Sequence, residues 1–259
     1  MLLAIDIGNT NIVLGGIDKE KIHFIARLYT EKRLSFDQYT IQIKNMLDIY
    51  NVNIEEINDC IISSVVPPVL DAIVKAVKTI IKKEPLIVGP GIKTGLNILM
   101  DNPAQLGSDL VVNSVACLNQ FKPPLIIIDM GTATTISVID KNKNYIGGCI
   151  IPGIKISLNA LSNMAAQLPH ISLDEPKSTF GTNTIDCMKS GIVFGSASMI
   201  DGMIERIEED LGSKTTVVAT GGIANHIIPF CKKDIIYDDD LLLKGLFVIY
   251  NKNQKNIGY

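Results

Sequence analysis

The sequence predicts an α/β protein built from two related lobes. The chain has 259 residues, of which 47% are hydrophobic and 20% charged, enough for two compact cores. Residues 2–11 (LLAIDIGNTN) and 125–134 (LIIIDMGTAT) both place an aspartate near the end of an apolar run, followed by glycine and small polar residues. The order of predicted strands and helices after each stretch is also similar, which favours an internal duplication.

The first half reads as three strands followed by alternating helices and strands. Predicted strands span residues 2–7, 12–14, 22–28, 60–66 and 86–88. Ser35 and Gln38 form a capping box ahead of an apolar stripe that reaches Tyr50, so a helix is predicted there. Pro67-Pro68 ends the fourth strand and opens a second amphipathic helix. The predicted order is therefore β-β-β-α-β-α-β.

The second half repeats this order in outline. Predicted strands span residues 125–129, 134–139, 145–151, 216–219 and 235–237. Helical patterns extend to Leu211, and a last helix is predicted from Leu241. The lobes are assigned to residues 1–112 and 113–259. The Lys122-Pro123-Pro124 break is the clearest change in composition, and the helix predicted over about 105–121 fits either lobe.

Composition argues against several classes of function. The formal net charge is −3, aromatic residues make up 5% and tryptophan is absent, so the sequence has neither the excess of positive charge nor the aromatic residues typical of nucleic-acid-binding proteins. No apolar run approaches the ~18 residues of a membrane helix, and the first residues enter a strand pattern without a signal-peptide pattern. The five cysteines and three histidines lack metal-ligand spacing. We expect a cytoplasmic protein without a nucleic-acid or membrane partner.

The repeated aspartate motif has a physical use. A strand that delivers an aspartate and then turns through glycine places a carboxylate beside several N–H and hydroxyl donors. Such a group suits a phosphate chain with its cation. One copy is a weak signal, because a buried aspartate in a turn looks the same. Two equivalent copies, with Gly221-Gly222 after a further strand where a base or ribose could approach, predict a nucleotide cleft between the lobes.

Several motifs occur in a fixed order along the chain: Asp6–Asn11, Gly107-Ser108-Asp109, Asp129–Thr135, Gly147-Gly148 through Gly153, Asn183-Thr184 leading to Ser190-Gly191, and Ala219–Gly222. Together they resemble one family, the type III pantothenate kinases of the acetate and sugar kinase, heat-shock ATPase and actin superfamily. The similarity covers essentially the whole chain.

The resemblance implies a fold and a reaction. The fold would be two duplicated ribonuclease H-like lobes with mixed sheets. The reaction would transfer the γ-phosphoryl group of ATP to the primary hydroxyl of pantothenate, opening coenzyme A synthesis. The family resemblance also implies a cytosolic homodimer that requires magnesium and a monovalent cation, potassium or ammonium.

The resemblance also implies roles for individual residues. ATP would be bound by Asp6, Ile7, Gly8, Asn9, Thr10, Asn11, Ile12, Val13, Thr132, Gly221 and Gly222. Pantothenate would be bound by Met100, Gly107, Ser108, Asp109, Leu110 and Thr184. Asp109 would be the catalytic base, Asp129 would bind the monovalent cation, and Asp6 would hold magnesium through water.

Two positions depart from the family pattern on the side of the acceptor. Leu110 stands where the family has an arginine that holds the pantothenate carboxylate, and Met100 stands where a tyrosine is usual. Losing a charge-assisted hydrogen bond costs about 1.5 to 3 kcal/mol, roughly ten-fold to a hundred-fold in affinity. Two alternatives therefore stay open: a kinase for another small alcohol without a carboxylate, and a non-catalytic, regulatory nucleotide-binding homologue.

Overall fold

The computed structural model describes residues 1–19 and 21–254, which form two compact units. The first unit comprises Met1–Leu96, Asn102–Asn119 and the last helix, and the second comprises Asn97–Asp101 and Gln120–Asp240. This division differs from the predicted boundary at residue 112, which falls inside a continuous helix. The last helix also belongs to the first unit rather than to the second lobe.

Eleven strands and seven α-helices make up the described chain. The strands are β1 (Leu2–Ile7), β2 (Asn11–Asp18), β3 (Lys21–Tyr29), β4 (Asp59–Ser64), β5 (Leu86–Ile87), β6 (Asn97–Ile98), β7 (Leu125–Met130), β8 (Ala133–Ile139), β9 (Asn144–Pro152), β10 (Thr216–Thr220) and β11 (Ile236–Tyr237). The helices are α1 (Phe36–Ile49), α2 (Pro67–Ile81), α3 (Ser108–Gln120), α4 (Ile154–Met164), α5 (Thr184–Leu211), α6 (Ala224–Ile227) and α7 (Leu241–Gln254).

The first unit is built on a five-stranded mixed sheet of order β3-β2-β1-β4-β5. β1 pairs antiparallel with β2 and parallel with β4. The capping box predicted at Ser35 and Gln38 opens α1, which buries Tyr39 and Ile43 in the core of this unit. Pro67 begins α2, whose apolar face packs into the same core.

The last helix, α7, joins the first unit because of two close backbone approaches. A Cβ on Gly15 of β2 would lie 2.7 Å from the Leu243 side chain, and a Cβ on Gly245 would collide with the Val112 carbonyl of α3. Two glycines thus let α7 pack tightly against a strand and a helix more than a hundred residues earlier. Local sequence patterns do not indicate such a long-range contact, which is why the predicted boundary and this division differ for α7.

The second unit repeats the same topology and adds one strand. Its sheet has the order β11-β10-β7-β8-β9-β6, in which β9-β8-β7-β10-β11 corresponds to the sheet of the first unit. β7 pairs antiparallel with β8 and parallel with β10, as β1 does with β2 and β4. The extra strand, β6, pairs parallel with β9 at the edge. The predicted duplication is confirmed.

The long helix α5 supplies much of the second core. Ala197, Ile200 and Ile204 are almost completely buried and pack with the strands of this unit. The apolar residues in the middle of α5 are therefore part of the core. Across residues 1–19 and 21–254, no helix is both long enough and apolar enough to cross a membrane.

Candidate active site

The first aspartate motif forms a tight hairpin between β1 and β2. Asp6, the penultimate residue of β1, pairs with Val13 in β2 and with Ser63 in β4, and is only 8% exposed. The Gly8 N–H donates to the Asn11 carbonyl at 3.0 Å and closes the turn. The hairpin therefore holds a carboxylate just below an exposed turn.

The predicted ATP-binding residues of this hairpin differ in exposure, with Gly8 and Val13 half-buried. Asn9, Thr10 and Asn11 form the exposed tip. Ile7 and Ile12 are completely buried in the core, so only their backbone groups could reach a ligand. The sequence pattern alone did not separate these groups.

The predicted base, Asp109, lies in the first turn of α3 in the same unit. The Leu110 N–H donates to Asp109 Oδ1 at 2.9 Å. Any Cβ on Gly107 would collide with this carboxylate oxygen. The carboxylate is thus folded back over residue 107, and glycine is what leaves room for it.

Two serines of β4 and one of α3 connect the start of α3, which carries Asp109, to the strand beside β1. The fully buried Ser63 donates its hydroxyl to Ser108 Oγ at 3.0 Å, and Ser108 Oγ donates to the Ser64 carbonyl at 2.9 Å. Because Ser63 is the β4 partner of Asp6, these bonds attach the start of α3 beside the first aspartate strand. The hairpin and Asp109 are therefore both attached to β4, the hairpin through the pairing of β1 and Asp109 through the start of α3.

The environment of Asp109 alters its acidity. Burial raises the pKa of the Asp109 carboxyl above its usual value, and hydrogen bonds from the backbone N–H groups of Leu110 and of Asp109 itself offset part of that rise. A carboxylate with a raised pKa is a stronger base than an ordinary aspartate. The geometry and the acidity both suit a group that accepts a proton from an alcohol.

Leu110 follows Asp109 and has an uncharged side chain. It is half-buried, and its carbonyl accepts a hydrogen bond from Ser114 Oγ at 2.7 Å within α3. The position therefore offers apolar surface and no charge.

The second aspartate motif forms a similar hairpin between β7 and β8. Asp129 is again the penultimate residue of its strand, and it pairs with Thr135 in β8 and Thr220 in β10. The Gly131 N–H donates to the Ala133 carbonyl at 3.0 Å, which leaves Thr132 exposed at the tip. Asp129 is half-buried and less enclosed than Asp6.

Two glycines pack closely against the backbone of the second hairpin. Gly221 has φ +97°, and a Cβ there would lie 2.7 Å from the backbone of Met130. A Cβ on Gly153 would collide with the carbonyl of Thr132. Gly222 is exposed, and a Cβ there would meet nothing within 4 Å. Of the predicted Gly221-Gly222 pair, only the first makes a close backbone approach.

The remaining predicted substrate residues lie elsewhere in the second unit. Met100 follows the edge strand β6 and is half-buried. Thr184 is the first residue of α5, which Asn183 caps by accepting from the Asp186 N–H. Thr184 lines an open, mainly apolar cavity of about 400 Å³ together with Leu161, Leu168, Cys187, Met188, Gly191 and Ile192. Asp129 lies in β7, Thr132 lies in the turn that follows it, and Gly221 follows the neighbouring strand β10, whereas Met100 follows β6 and Thr184 begins α5.

Two contacts at the hairpins were not predicted from the sequence. Thr30, just after β3, donates its hydroxyl to the Gly8 carbonyl at 2.6 Å, and Gly153, just after β9, touches the second turn. Each contact joins a turn to the residue that follows another strand of the sheet. Such contacts depend on strand pairing, which local sequence patterns do not give.

Comparison with known proteins identifies the family. A family model described as type III pantothenate kinase matches residues 2–206. A type III pantothenate kinase from Halalkalibacterium halodurans is 43% identical over 253 residues, which cover 98% of this chain and 100% of that protein.

Solved structures show the same fold. A Campylobacter jejuni protein described as a Baf family transcriptional activator has TM-score 0.60 and 23% identity, covering 98% of this chain and 99% of that chain. A ROK hexokinase from Thermus thermophilus has TM-score 0.53 and 12% identity, with the same coverage. The predicted fold class of two duplicated ribonuclease H-like lobes is confirmed. The chain belongs to the type III pantothenate kinase family.

Proposed function

We propose that this chain phosphorylates pantothenate with ATP to give phosphopantothenate, the first step of coenzyme A biosynthesis. The observation that carries the proposal is Asp109, whose carboxylate is held over Gly107 on the same scaffold as the first aspartate hairpin. The full-length relationship to type III pantothenate kinases supplies the reaction and the acceptor.

Asp109 is proposed as the catalytic base. It accepts the proton of the pantothenate primary hydroxyl while that oxygen bonds to the γ-phosphorus of ATP. The bond between the γ-phosphorus and the bridging oxygen breaks, and ADP leaves with that electron pair. Such transfers depend mainly on positioning and charge neutralisation, so one carboxylate suffices as the base.

The two hairpins are proposed to contact ATP. In the first, the exposed backbone of Asn9–Asn11 offers N–H donors, and Ile7, Ile12 and Val13 would contribute backbone groups. In the second, Thr132 stands at the exposed tip, and the Gly221-Gly222 turn is proposed to lie against the adenosine. Backbone donors in tight turns are common ligands for phosphate oxygens.

The chemistry of the donor set fits the implied cations. Residues 1–19 and 21–254 contain no cluster of three or more histidine, cysteine or acidic side chains that could enclose a metal. Magnesium commonly needs only one or two carboxylates when phosphates and waters complete its shell, so Asp6 fits that role through water. Asp129, a half-buried carboxylate, is proposed for potassium or ammonium. Bound cations would neutralise phosphate charge.

The acceptor contacts are proposed for Met100, Gly107, Ser108, Leu110 and Thr184. The uncharged Leu110 beside the base supports a second candidate, a kinase for a neutral alcohol of similar shape.

Mass spectrometry of the products can decide between these acceptors. The purified protein would be incubated with ATP, magnesium, potassium and either pantothenate or a neutral pantothenate amide. We expect phosphopantothenate, with a weak KM for pantothenate. Exclusive phosphorylation of the amide would favour the second candidate. ATP binding without transfer to either compound would indicate a regulatory homologue.

We also propose a cytoplasmic homodimer, as the family resemblance implies. Three large apolar side chains of the second unit, Ile150, Met164 and Phe180, are between 76% and 87% exposed to solvent. Exposed apolar side chains indicate a partner surface only where they form one contiguous patch, so the family resemblance carries this proposal. Analytical ultracentrifugation should give twice the 28.2 kDa chain mass, and a monomer at micromolar concentration would contradict the homodimer.

A further inference from the structure

We propose that Thr30 is a positioning residue that sets the orientation of the first hairpin for ATP phosphates. The proposal rests on the assignment of ATP phosphates to that hairpin. It adds a residue outside both aspartate motifs, 22 positions beyond Gly8 in the chain.

Thr30 donates two hydrogen bonds to backbone carbonyls of the first hairpin. Its N–H donates to the Thr10 carbonyl at 2.9 Å, and its hydroxyl donates to the Gly8 carbonyl at 2.6 Å. The first bond continues the β2–β3 ladder, but the second is made by the side chain. Replacing the hydroxyl would therefore remove one bond and leave the ladder intact.

These two bonds determine where the hairpin's donors point. In a planar trans peptide the C=O of one residue and the N–H of the next point in opposite directions. With the Gly8 and Thr10 carbonyls turned toward Thr30, the N–H groups of Asn9 and Asn11 are turned away from it. Two donors then share one side of the exposed turn, an arrangement that suits phosphate oxygens.

Thr30 is itself held by the core. The hydroxyl of Tyr39 in α1 donates to the Glu31 carbonyl at 2.8 Å and accepts from the Glu31 N–H at 3.1 Å. Tyr39 is completely buried in the core of the first unit. The segment that orients the hairpin is therefore anchored by both bonds of one rigid side chain, so the donors are set before a ligand arrives.

The test compares Thr30→Val with Thr30→Ser and Thr40→Val. Valine keeps the shape of threonine without the hydroxyl, and serine keeps the hydroxyl. Thr40 is the matched control, because it is also half-buried in the first unit and its hydroxyl donates to a backbone carbonyl, that of Phe36, at 2.8 Å. ATP affinity would be measured by calorimetry with magnesium, and KM would be measured for ATP and for pantothenate.

We expect Thr30→Val to weaken ATP binding about ten-fold and to raise the KM for ATP by a similar factor, with the KM for pantothenate unchanged. Thr30→Ser should recover most of the affinity, and Thr40→Val should bind ATP as the wild type does.

Two results would overturn the role of Thr30. One is wild-type ATP affinity in Thr30→Val, and the other is an equal rise in the KM values of both substrates. If the wild type binds ATP but transfers nothing to pantothenate, the proposed function fails, while calorimetry still decides the role of Thr30. Absence of ATP binding in the wild type would overturn both.

Discussion

The two aspartate hairpins share a strand pattern and differ in what holds them. Each places its aspartate one residue before the end of a central strand, with an antiparallel neighbour on one side and a parallel neighbour on the other. At the first, the Thr30 hydroxyl bonds to the turn, and the hydroxyls of Ser63 and Ser108 attach α3 to the neighbouring strand β4. At the second, Gly221 and Gly153 lie so close to the backbone of Met130 and Thr132 that a side chain at either glycine would collide with it.

The difference is clearest at one equivalent position. Ser64 pairs with Ile7, the residue after Asp6, and its carbonyl accepts from Ser108 at the start of α3. The corresponding position after Thr220 is Gly221, which closes directly onto Met130. In the first copy of the motif, this position is a docking point for the segment that carries Asp109, the proposed base. In the second copy, it is part of a compact turn, so the two copies share a topology and differ in their contacts.

The largest effect on stability should come from Gly221→Ala in the second hairpin. The positive φ and the collision with the Met130 backbone together should cost about 2 to 5 kcal/mol in the free energy of unfolding. Gly222→Ala is the matched control, since its Cβ would meet nothing within 4 Å, and it should change stability by less than about 1 kcal/mol. Urea unfolding of both variants measures the difference. Equal stabilities would show that Gly221 does not constrain the hairpin.

A smaller but more specific effect is expected from Gly107→Ala in the first unit. The new methyl group must displace the Asp109 carboxylate, and misplacing a catalytic group should lower kcat at least about ten-fold. The obstructing atom is the end of a movable side chain, so the free energy of unfolding should change little.

Steady-state kinetics and urea unfolding would be run together on Gly107→Ala. Gly195→Ala in α5, where a Cβ would meet nothing within 4 Å, serves as the control and should keep wild-type kcat. An unchanged kcat in Gly107→Ala would mean that the carboxylate does not act from this position.

The smallest expected effect is a shift in the pH dependence of kcat for the wild-type protein. Because burial raises the pKa of Asp109, its active carboxylate form should be lost, as pH falls, at a higher pH than for an ordinary aspartate. The same shift means that ionised Asp109 destabilises the fold above its folded pKa; this cost decreases as pH falls below that value and is absent below the lower, unfolded pKa. The acid limb of the kcat profile measures the first effect. A limb at the position of an unperturbed aspartate would contradict it.

Much of this architecture could be predicted from the sequence, because its signals are local. The capping box of α1 and the apolar runs of β1 and β7 lie where expected. The break between α4 and α5 was missed, although Pro169 and Pro176 lie in the irregular segment. The two-residue strand β6 is too short to show a period.

The site was harder to predict for a related reason. Asp6, Asp109 and Asp129 are candidates from the sequence because each stands in a recognisable motif. The contacts of Thr30, Ser63 and Gly153 could not be predicted, because they depend on strand pairing and on the docking of α3. The placement of α7 in the first unit depends likewise on contacts between residues distant in the chain.

The most direct test of the account is Asp109→Asn, assayed by ADP release with ATP, magnesium, potassium and pantothenate. Loss of the base should lower kcat by about 10² to 10⁴-fold, while calorimetry shows ATP binding unchanged. The free energy of unfolding at neutral pH should not fall, because the substitution removes a carboxylate that burial disfavours. Substantial pantothenate-dependent ADP release by the variant would contradict the central claim that Asp109 is the base.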